Sequence, residues 1–258
     1  MAAPVVHPSA LVDPAAELGD DVVVGPFAVV EGGVVVGAGA VLEVGAVLRR
    51  GTWVGAHARV GPYAVVGSAP MDTRFRGEPS GVTLGARCDL REHVTIHRAT
   101  GEGARTAVGA DALVMTGAHV SHNAVVGDGS VLTTQVQLGG HVEVGAGAVL
   151  GAGVMVHQWG RVGRWAMVGA TSALNADVLP FALARGNPAR HYRLNAVGLR
   201  RRGLAPEVTG ALQDALRAVR RHDRARLAEL ADRWPEVAEL TAFAERSRLG
   251  VARFVTHG

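Results

Sequence analysis

"VVVGPFAVVEGGVVVGAGAVLEVGAVLRRGTWVGAHARVG", residues 22–61, neither alternates like an amphipathic strand nor repeats like a helix. Every sixth residue in it is aliphatic: Val24, Val30, Val36, Leu42, Leu48, Val54 and Val60. The count extends in both directions. From Val6 to Leu174, 26 of the 29 multiples of six hold Val, Leu or Ile. Glycine often follows directly, as in Val24-Gly25, Val36-Gly37, Val54-Gly55 and Val60-Gly61. A period of six with an inward branched aliphatic and a turn-forming glycine beside it describes one short side of a three-sided parallel β-helix, three hexads or about 18 residues per coil.

Composition agrees. With 35 glycines and 4% aromatic residues, the chain has to pack small branched side chains in a regular array. The motif resembles the bacterial hexapeptide repeat, and that resemblance implies a left-handed β-helix; the period does not set the hand.

Three multiples of six break the pattern: Asp72, Glu78 and Glu102. They fall in "APMDTRFRGEPSGV", residues 69–82, and "ATGEGART", residues 99–106, and the count resumes in phase after each. Both segments are expected to be loops extruded from residues 1–180 of the prism, where function concentrates on a rigid scaffold. Past Pro180 the period stops. Residues 206–250 carry apolar residues at three- and four-residue spacing, which predicts two or three amphipathic helices in a C-terminal α-helical domain, 181–258. Charge divides at the same place: residues 181–258 hold 15 Arg against 8 acids, net +7, and the prism 11 Arg against 15 acids, net −4. The basic tail suits nucleotide phosphates or an acidic protein partner, and no nucleic-acid-binding motif accompanies it.

Several classes are excluded or disfavoured. All 26 basic residues are arginine, which removes Schiff-base and lysine-base chemistry. Cys88 is the single cysteine, so there is no internal disulfide and no multi-thiolate metal site; it is expected to pack inside. The N-terminus has no secretory signal pattern, and the longest uncharged apolar run, near Val144 to Val156, is too short to span a bilayer. A cytoplasmic protein without a membrane span is expected.

In an 18-residue coil, residues i and i+18 stack at the parallel-strand spacing of about 4.8 Å. His122, in "GAHVSHNAVVGD", therefore has Gly140 directly above it, with His141 alongside and Gln158 one coil higher, while position 104 of the second loop is expected beneath. A neutral imidazole can take a proton from a hydroxyl, and a glycine N–H with no side chain in the way can donate to a developing oxyanion. His97, His119 and His157 lie on neighbouring coils. The constellation suits acyl transfer, with His122 and Gly140 as its catalytic pair.

"VTIHRAT", "GAHVSHNAVVGD", "LGGHVEVG", "VHQWGRVG" and "ARGNPARHYRLNAVGLRRRG" together resemble the UDP-N-acetylglucosamine O-acyltransferases of lipid A biosynthesis along the whole chain. The resemblance implies a homotrimer that moves an R-3-hydroxyacyl chain from acyl carrier protein to the 3-hydroxyl of the sugar nucleotide, with no metal and no free cofactor beyond the carrier's phosphopantetheine. It implies His122 as general base and Gly140 as oxyanion donor. Asp72, Arg74, His97, His119, His141 and Gln158 match substrate-binding positions, as do Asn195, Arg201 and Arg202 at the nucleotide end; His157, Ala170 and Pro188 match the acyl-chain pocket. This chain departs at Val197, where a nucleotide-contacting glutamate is common, at Asn123, where Asp is frequent, at Arg74 for Lys, at Ala170 for Gly and at Pro188 for His. Transfer to the 3-amino analogue of the sugar nucleotide is an alternative. So is the pathway N-acyltransferase, which typically carries an N-terminal domain for which a repeat starting at Val6 leaves no room. A γ-class carbonic anhydrase-like zinc site is a remote third, requiring three imidazoles around one metal.

Overall fold

A computed structural model describes residues 2–255. Residues 5–174 wind as a parallel β-helix of mostly two-residue strands distributed over three sheets. We call these sheets A, B and C in the order the chain visits them, and the prism edges AB, BC and CA. Sheet A begins with Val5–Val6, sheet B with Leu11–Val12 and sheet C with Glu17–Leu18.

The ladder register shows why the period survives its interruptions. Val5 pairs with Val23 and Val23 with Val41, a step of three hexads each time. Arg59 then pairs with Asp89, a step of five hexads, and Asp89 with Leu113, a step of four, before Leu113–Val131 restores three. The first loop thus adds two hexads and the second adds one. Their limits are tighter than the hexad count implies: Gly81–Leu84 and Arg105–Val108 already pair in sheet C, Gly81 with Arg105. The excursions cover 69–80 and 98–104, because a returning strand gains ladder bonds as soon as it reaches its neighbour.

Each hexad sends two residues inward. The aliphatic of the six-residue period lies on the strand, and a small residue two places earlier fills the corner: Ala28 with Val30, Ala40 with Leu42, Ala58 with Val60, Ala118 with Val120, all at most 1% exposed. They form one continuous apolar column. Cys88 occupies such a corner position, and burial pushes its thiol up to about 12, so it is chemically quiet.

The glycine after each aliphatic is not the turn residue that the sequence suggested. A Cβ on Gly37 would lie 2.7 Å from the Ala56 nitrogen of the next coil, so this position is small because backbones approach there. The left-handed turn falls two residues later, as at Gly39 (φ 67°).

Residues 182–194 are not helical: Ala182–Gly186 joins sheet A and Ala189–Leu194 returns antiparallel to it. Helices α1 (Ala196–Arg201), α2 (Pro206–Arg221), α3 (Arg224–Arg233) and α4 (Pro235–Glu245) follow, around a second core that includes Leu199, Leu212, Leu230, Leu240 and Phe243. The helices dock on sheet C and the CA edge. Arg164 there forms a forked pair with Glu239 at 2.6–3.0 Å, and the Arg161 guanidinium lies 4.0 Å over the Phe243 ring.

Candidate active site

Most of the candidate residues converge on the BC edge, at three successive corners: 121–124, 139–142 and 157–160. Each corner turns through one left-handed residue. Lower on the same edge that residue is Gly33 or Gly51; here it is Asn123 (φ 59°), His141 (φ 59°) and Trp159 (φ 66°). A side chain in this conformation costs about 1 kcal/mol or more, so the surroundings have to hold it. They do: the His141 ring stacks on Trp159 with centroids 3.7 Å apart and meets His122 edge-on at 5.3 Å.

His122 is 8% exposed. Above it, a Cβ on Gly140 would lie 2.5 Å from His122 Cε1 and 2.6 Å from Nε2, so only a bare backbone fits against the imidazole edge. The Gly140 carbonyl accepts the Trp159 N–H at 2.9 Å, while its own N–H has no acceptor among the described residues. His122 Nδ1 lies 2.9 Å from Asn123 Oδ1. Its Nε2 lies 3.9 Å from Asp72 Oδ2, brought in by the first loop. Arg74 holds that carboxylate, its Nε and Nη2 at 3.2 and 3.0 Å and its backbone N–H at 2.9 Å, and these bonds keep the Asp72 carboxyl ionised, at about 2. A group entering beside Nε2 and Asp72 therefore meets an imidazole nitrogen and a carboxylate, with the bare Gly140 backbone alongside.

The other imidazoles form a neutral bed. His119 bonds Thr95 Oγ1 through Nδ1 (2.7 Å) and Ser121 Oγ through Nε2 (3.0 Å), and burial first, then neighbouring His97, pushes it down to about 4. His97 meets it edge-on at 4.8 Å and is also lowered, by burial and then by His122; its Nδ1 is buried without a hydrogen-bond partner. Burial is likewise the main cause of the lowered value at His141. Both ring nitrogens of His119 are bonded to hydroxyls, and among the described residues no three His, Cys, Asp or Glu side chains are grouped as zinc ligands would be.

Beneath His122 the second loop itself replaces the corner: Thr95 pairs with His119 four hexads on in sheet B, and Ala107 with Val125 three hexads on in sheet C, so both ends of the loop, Arg98 and Ala104, flank the expected position. Ala170 lies exposed at the AB edge, between Met167–Val168 of sheet A and Ala173–Leu174 of sheet B, since the path from His122 to Ala170 is two coils and two further sides.

The remaining candidates are dispersed. His157 and Gln158 are exposed one coil above Gly140, the His157 Nδ1 2.8 Å from the Gln158 carbonyl. Asn195 caps α1, its Oδ1 accepting the Gly198 N–H at 3.2 Å and its Nδ2 donating to the Trp165 carbonyl at 3.0 Å. Arg202 Nη2 donates to the Gly147 carbonyl at 2.9 Å, which ties it to the CA edge, and Arg201 is exposed on α1. Pro188 is exposed on the hairpin after sheet A. Beside the BC edge the sequence missed a groove of about 350 Å³ lined by Asn123, His141, Trp159, Arg161, Arg246 and Arg248. Trp159 could have been found by the same stacking rule, one coil past His141. Arg246 and Arg248 reach the groove only through the docking of the helical tail.

A coiled prism of hexads that sets one buried histidine against a side-chain-free amide on the next coil defines a hexapeptide-repeat acyltransferase. Comparisons with known proteins narrow this. The family model for bacterial transferase hexapeptide repeats matches residues 15–50, and that for the second domain of UDP-N-acetylglucosamine O-acyltransferase matches residues 177–252. The acyl-[acyl-carrier-protein]--UDP-N-acetylglucosamine O-acyltransferase of Burkholderia vietnamiensis is 42% identical over 259 residues, covering 96% of this chain and 99% of its own. The solved UDP-N-acetylglucosamine acyltransferase of Campylobacter jejuni is 33% identical with a TM-score of 0.91, covering 97% and 100% of the two chains. That of Moraxella catarrhalis is 32% identical at 0.92, covering 96% and 99%. The chain belongs to the UDP-N-acetylglucosamine O-acyltransferase family.

Proposed function

We propose that this protein moves an R-3-hydroxyacyl chain from the phosphopantetheine thioester of acyl carrier protein to the 3-hydroxyl of UDP-N-acetylglucosamine, the opening reaction of lipid A biosynthesis, in the cytoplasm. The observation that carries the reading is the His122 imidazole edge against bare Gly140, with the Asp72–Arg74 pair across from it. His122 Nε2 takes the hydroxyl proton as the oxygen attacks the thioester carbonyl. The Gly140 N–H donates to the oxyanion. Collapse breaks the carbon–sulfur bond, and the imidazolium returns the proton to the departing thiolate. Asp72 and Arg74 hold the sugar, and the neutral imidazoles of His97, His119 and His141 line the site without adding charge. No step calls on a metal or a further cofactor.

The division of the candidates over edges supports a homotrimer. His122 is on BC, Arg202 is tied to CA and Ala170 sits on AB, and a rigid prism cannot bring its own edges together. Three parallel copies around an axis can set the BC edge of one against the sheet A side of the next, which the CA and AB edges bound, so Asn195, Arg201 and Arg202 serve the nucleotide, and Ala170 and Pro188 the acyl chain, of a neighbour's site. The prism, residues 1–180, then supplies the chemistry and residues 181–258 the nucleotide end and the basic surface for the acidic carrier. His122→Ala should lower kcat by roughly 10²- to 10⁴-fold with the assembly intact; near-full activity would remove the base assignment. Co-expression of His122→Ala with the Arg201→Ala/Arg202→Ala double variant should restore about one site in four by random mixing. No recovery in mixed assemblies would argue against a shared site.

A further inference from the structure

The second loop contributes no group to the acyl transfer just described, yet the loop and the strand that follows it make four hydrogen bonds to Asn123. Thr100 donates to Asn123 Oδ1 twice, from its backbone N–H and from its hydroxyl, each at 2.9 Å. Asn123 Nδ2 donates back to the Thr100 carbonyl at 2.9 Å. The Asn123 backbone N–H donates to Oγ1 of Thr106, a fully buried residue in the small inward position where the prism otherwise favours Ala or Val. The loop leaves and rejoins the prism next to these two threonines.

These bonds determine which way the Asn123 amide faces. Turned over, its NH2 would confront the Thr100 N–H and its oxygen the Thr100 carbonyl, two unfavourable contacts in place of two bonds. Oδ1 is therefore an acceptor, and His122 Nδ1, 2.9 Å from it, has to be the donor. The neutral ring then carries its proton on Nδ1 and leaves the Nε2 lone pair toward Asp72 and Gly140. The alternative tautomer has its own attraction, because the Asp72 carboxylate 3.9 Å from Nε2 favours a proton on that nitrogen. A carboxylate at position 123 would override that attraction by charge. A neutral amide has to do so by fixed geometry.

We propose that Thr100 is a positioning residue for the reaction: by clamping the Asn123 amide it fixes the Nδ1–H tautomer of His122 and keeps Nε2 free to accept the substrate proton. The inference rests on His122 being the base. It assigns the second loop to the catalytic apparatus, acting through Asn123 without touching substrate.

The test is a tautomer measurement joined to kinetics. In protein labelled with 15N-histidine, the His122 side-chain spectrum should show a protonated Nδ1 and an unprotonated Nε2. Thr100→Val keeps the two backbone bonds to the amide and loses the hydroxyl bond to Oδ1; the loosened amide should move the spectrum part-way toward a tautomer mixture and lower kcat about five- to tenfold, the worth of an ordinary hydrogen bond, with the sugar-nucleotide KM unchanged. Thr100→Ser should restore both, and Asn123→Ala should shift the tautomer further than Thr100→Val. A wild-type ring protonated on Nε2, an unaltered spectrum in Thr100→Val, or a loss confined to KM that Thr100→Ser does not repair would overturn the proposal. The spectrum reports independently of turnover: an active His122→Ala variant would sink the base assignment and leave the tautomer result standing.

Discussion

Replacing Gly140 with Ala inserts a methyl group where the structure has none to spare. Its carbon would sit 2.5 Å from His122 Cε1 and 2.6 Å from Nε2, about 1 Å inside normal van der Waals separation. The coil backbone is pinned by ladder bonds on both sides, Gly139 N–H to the Val156 carbonyl at 3.0 Å and His141 N–H to the His122 carbonyl at 3.0 Å, so the imidazole is what has to move. Forced overpacking of this kind costs about 1–3 kcal/mol, which for a chain of this length lowers Tm by a few to about ten degrees. A base displaced by about 1 Å loses on the order of 10²-fold in rate. The oxyanion amide stays in place, so the loss reports on the position of His122. Thiol release from the acyl-carrier thioester gives kcat, and thermal melts of Gly140→Ala, His122→Ala and the double variant close a cycle. With the ring gone the clash is gone, and the added methyl should cost under about 0.5 kcal/mol. A Gly140→Ala enzyme that keeps more than about a tenth of wild-type kcat, or a melting loss equal in both backgrounds, would refute the reasoning.

Acid should destabilise the fold through His191, which is fully buried, accepts the Leu179 N–H on Nε2 and donates from Nδ1 to the Ala252 carbonyl. Burial holds it at about 4 against an ordinary 6.5, so the unfolded chain binds the extra proton between those values; stability is complete above pH 6.5 and falls by on the order of 3 kcal/mol as pH drops through 4. Melts at pH 7.5 and 5 should show a loss that His191→Gln makes smaller; an unchanged pH slope in that variant would place the effect elsewhere. Arg201→Ala should raise the sugar-nucleotide KM with little change in Tm, whereas Arg202→Ala should also lower Tm because it gives up the bond to Gly147; equal melting points would contradict the second half. Ala170→Gly should lengthen and Ala170→Met shorten the preferred acyl chain, by a few-fold per carbon at about 0.8 kcal/mol per methylene, read by mass spectrometry of products from a thioester series. A donor profile indifferent to both would move the length limit to Pro188.

The prism was legible because its register is arithmetic. A residue in a parallel coil sees the residue one period away, so Val24 above Val6 and Gly140 above His122 follow from counting alone. Counting fails where the chain leaves the coil. The second loop replaces the corner beneath His122, and nothing in the period says how it is folded there or that Asp72 folds back to within 3.9 Å of Nε2. It fails again where one face serves two purposes: a glycine beside each aliphatic reads as a turn, yet it is backbone approach that excludes a side chain there. The groove cations Arg246 and Arg248 lie far from His141 in sequence, and their arrival depends on Phe243 packing under Arg161.

The two loops, one adding two hexads and the other one, treat the hexad as a reading frame. A further whole hexad inserted at a corner is in frame: every later residue keeps its side, its edge and its partner one coil away. A single inserted residue is a frameshift in space. Everything before it stays in place, and everything after it rotates off its face, aliphatics into water and charges into the column. Placed between His122 and Gly140, such a slip would leave the base where it is and carry the amide to another position, separating the two halves of the site by a change that deletes neither. Within the repeating coils length variation is therefore quantised in hexads, whereas the closing coil, with no further coil to register, runs 16 residues from Met167 to its partner Leu183.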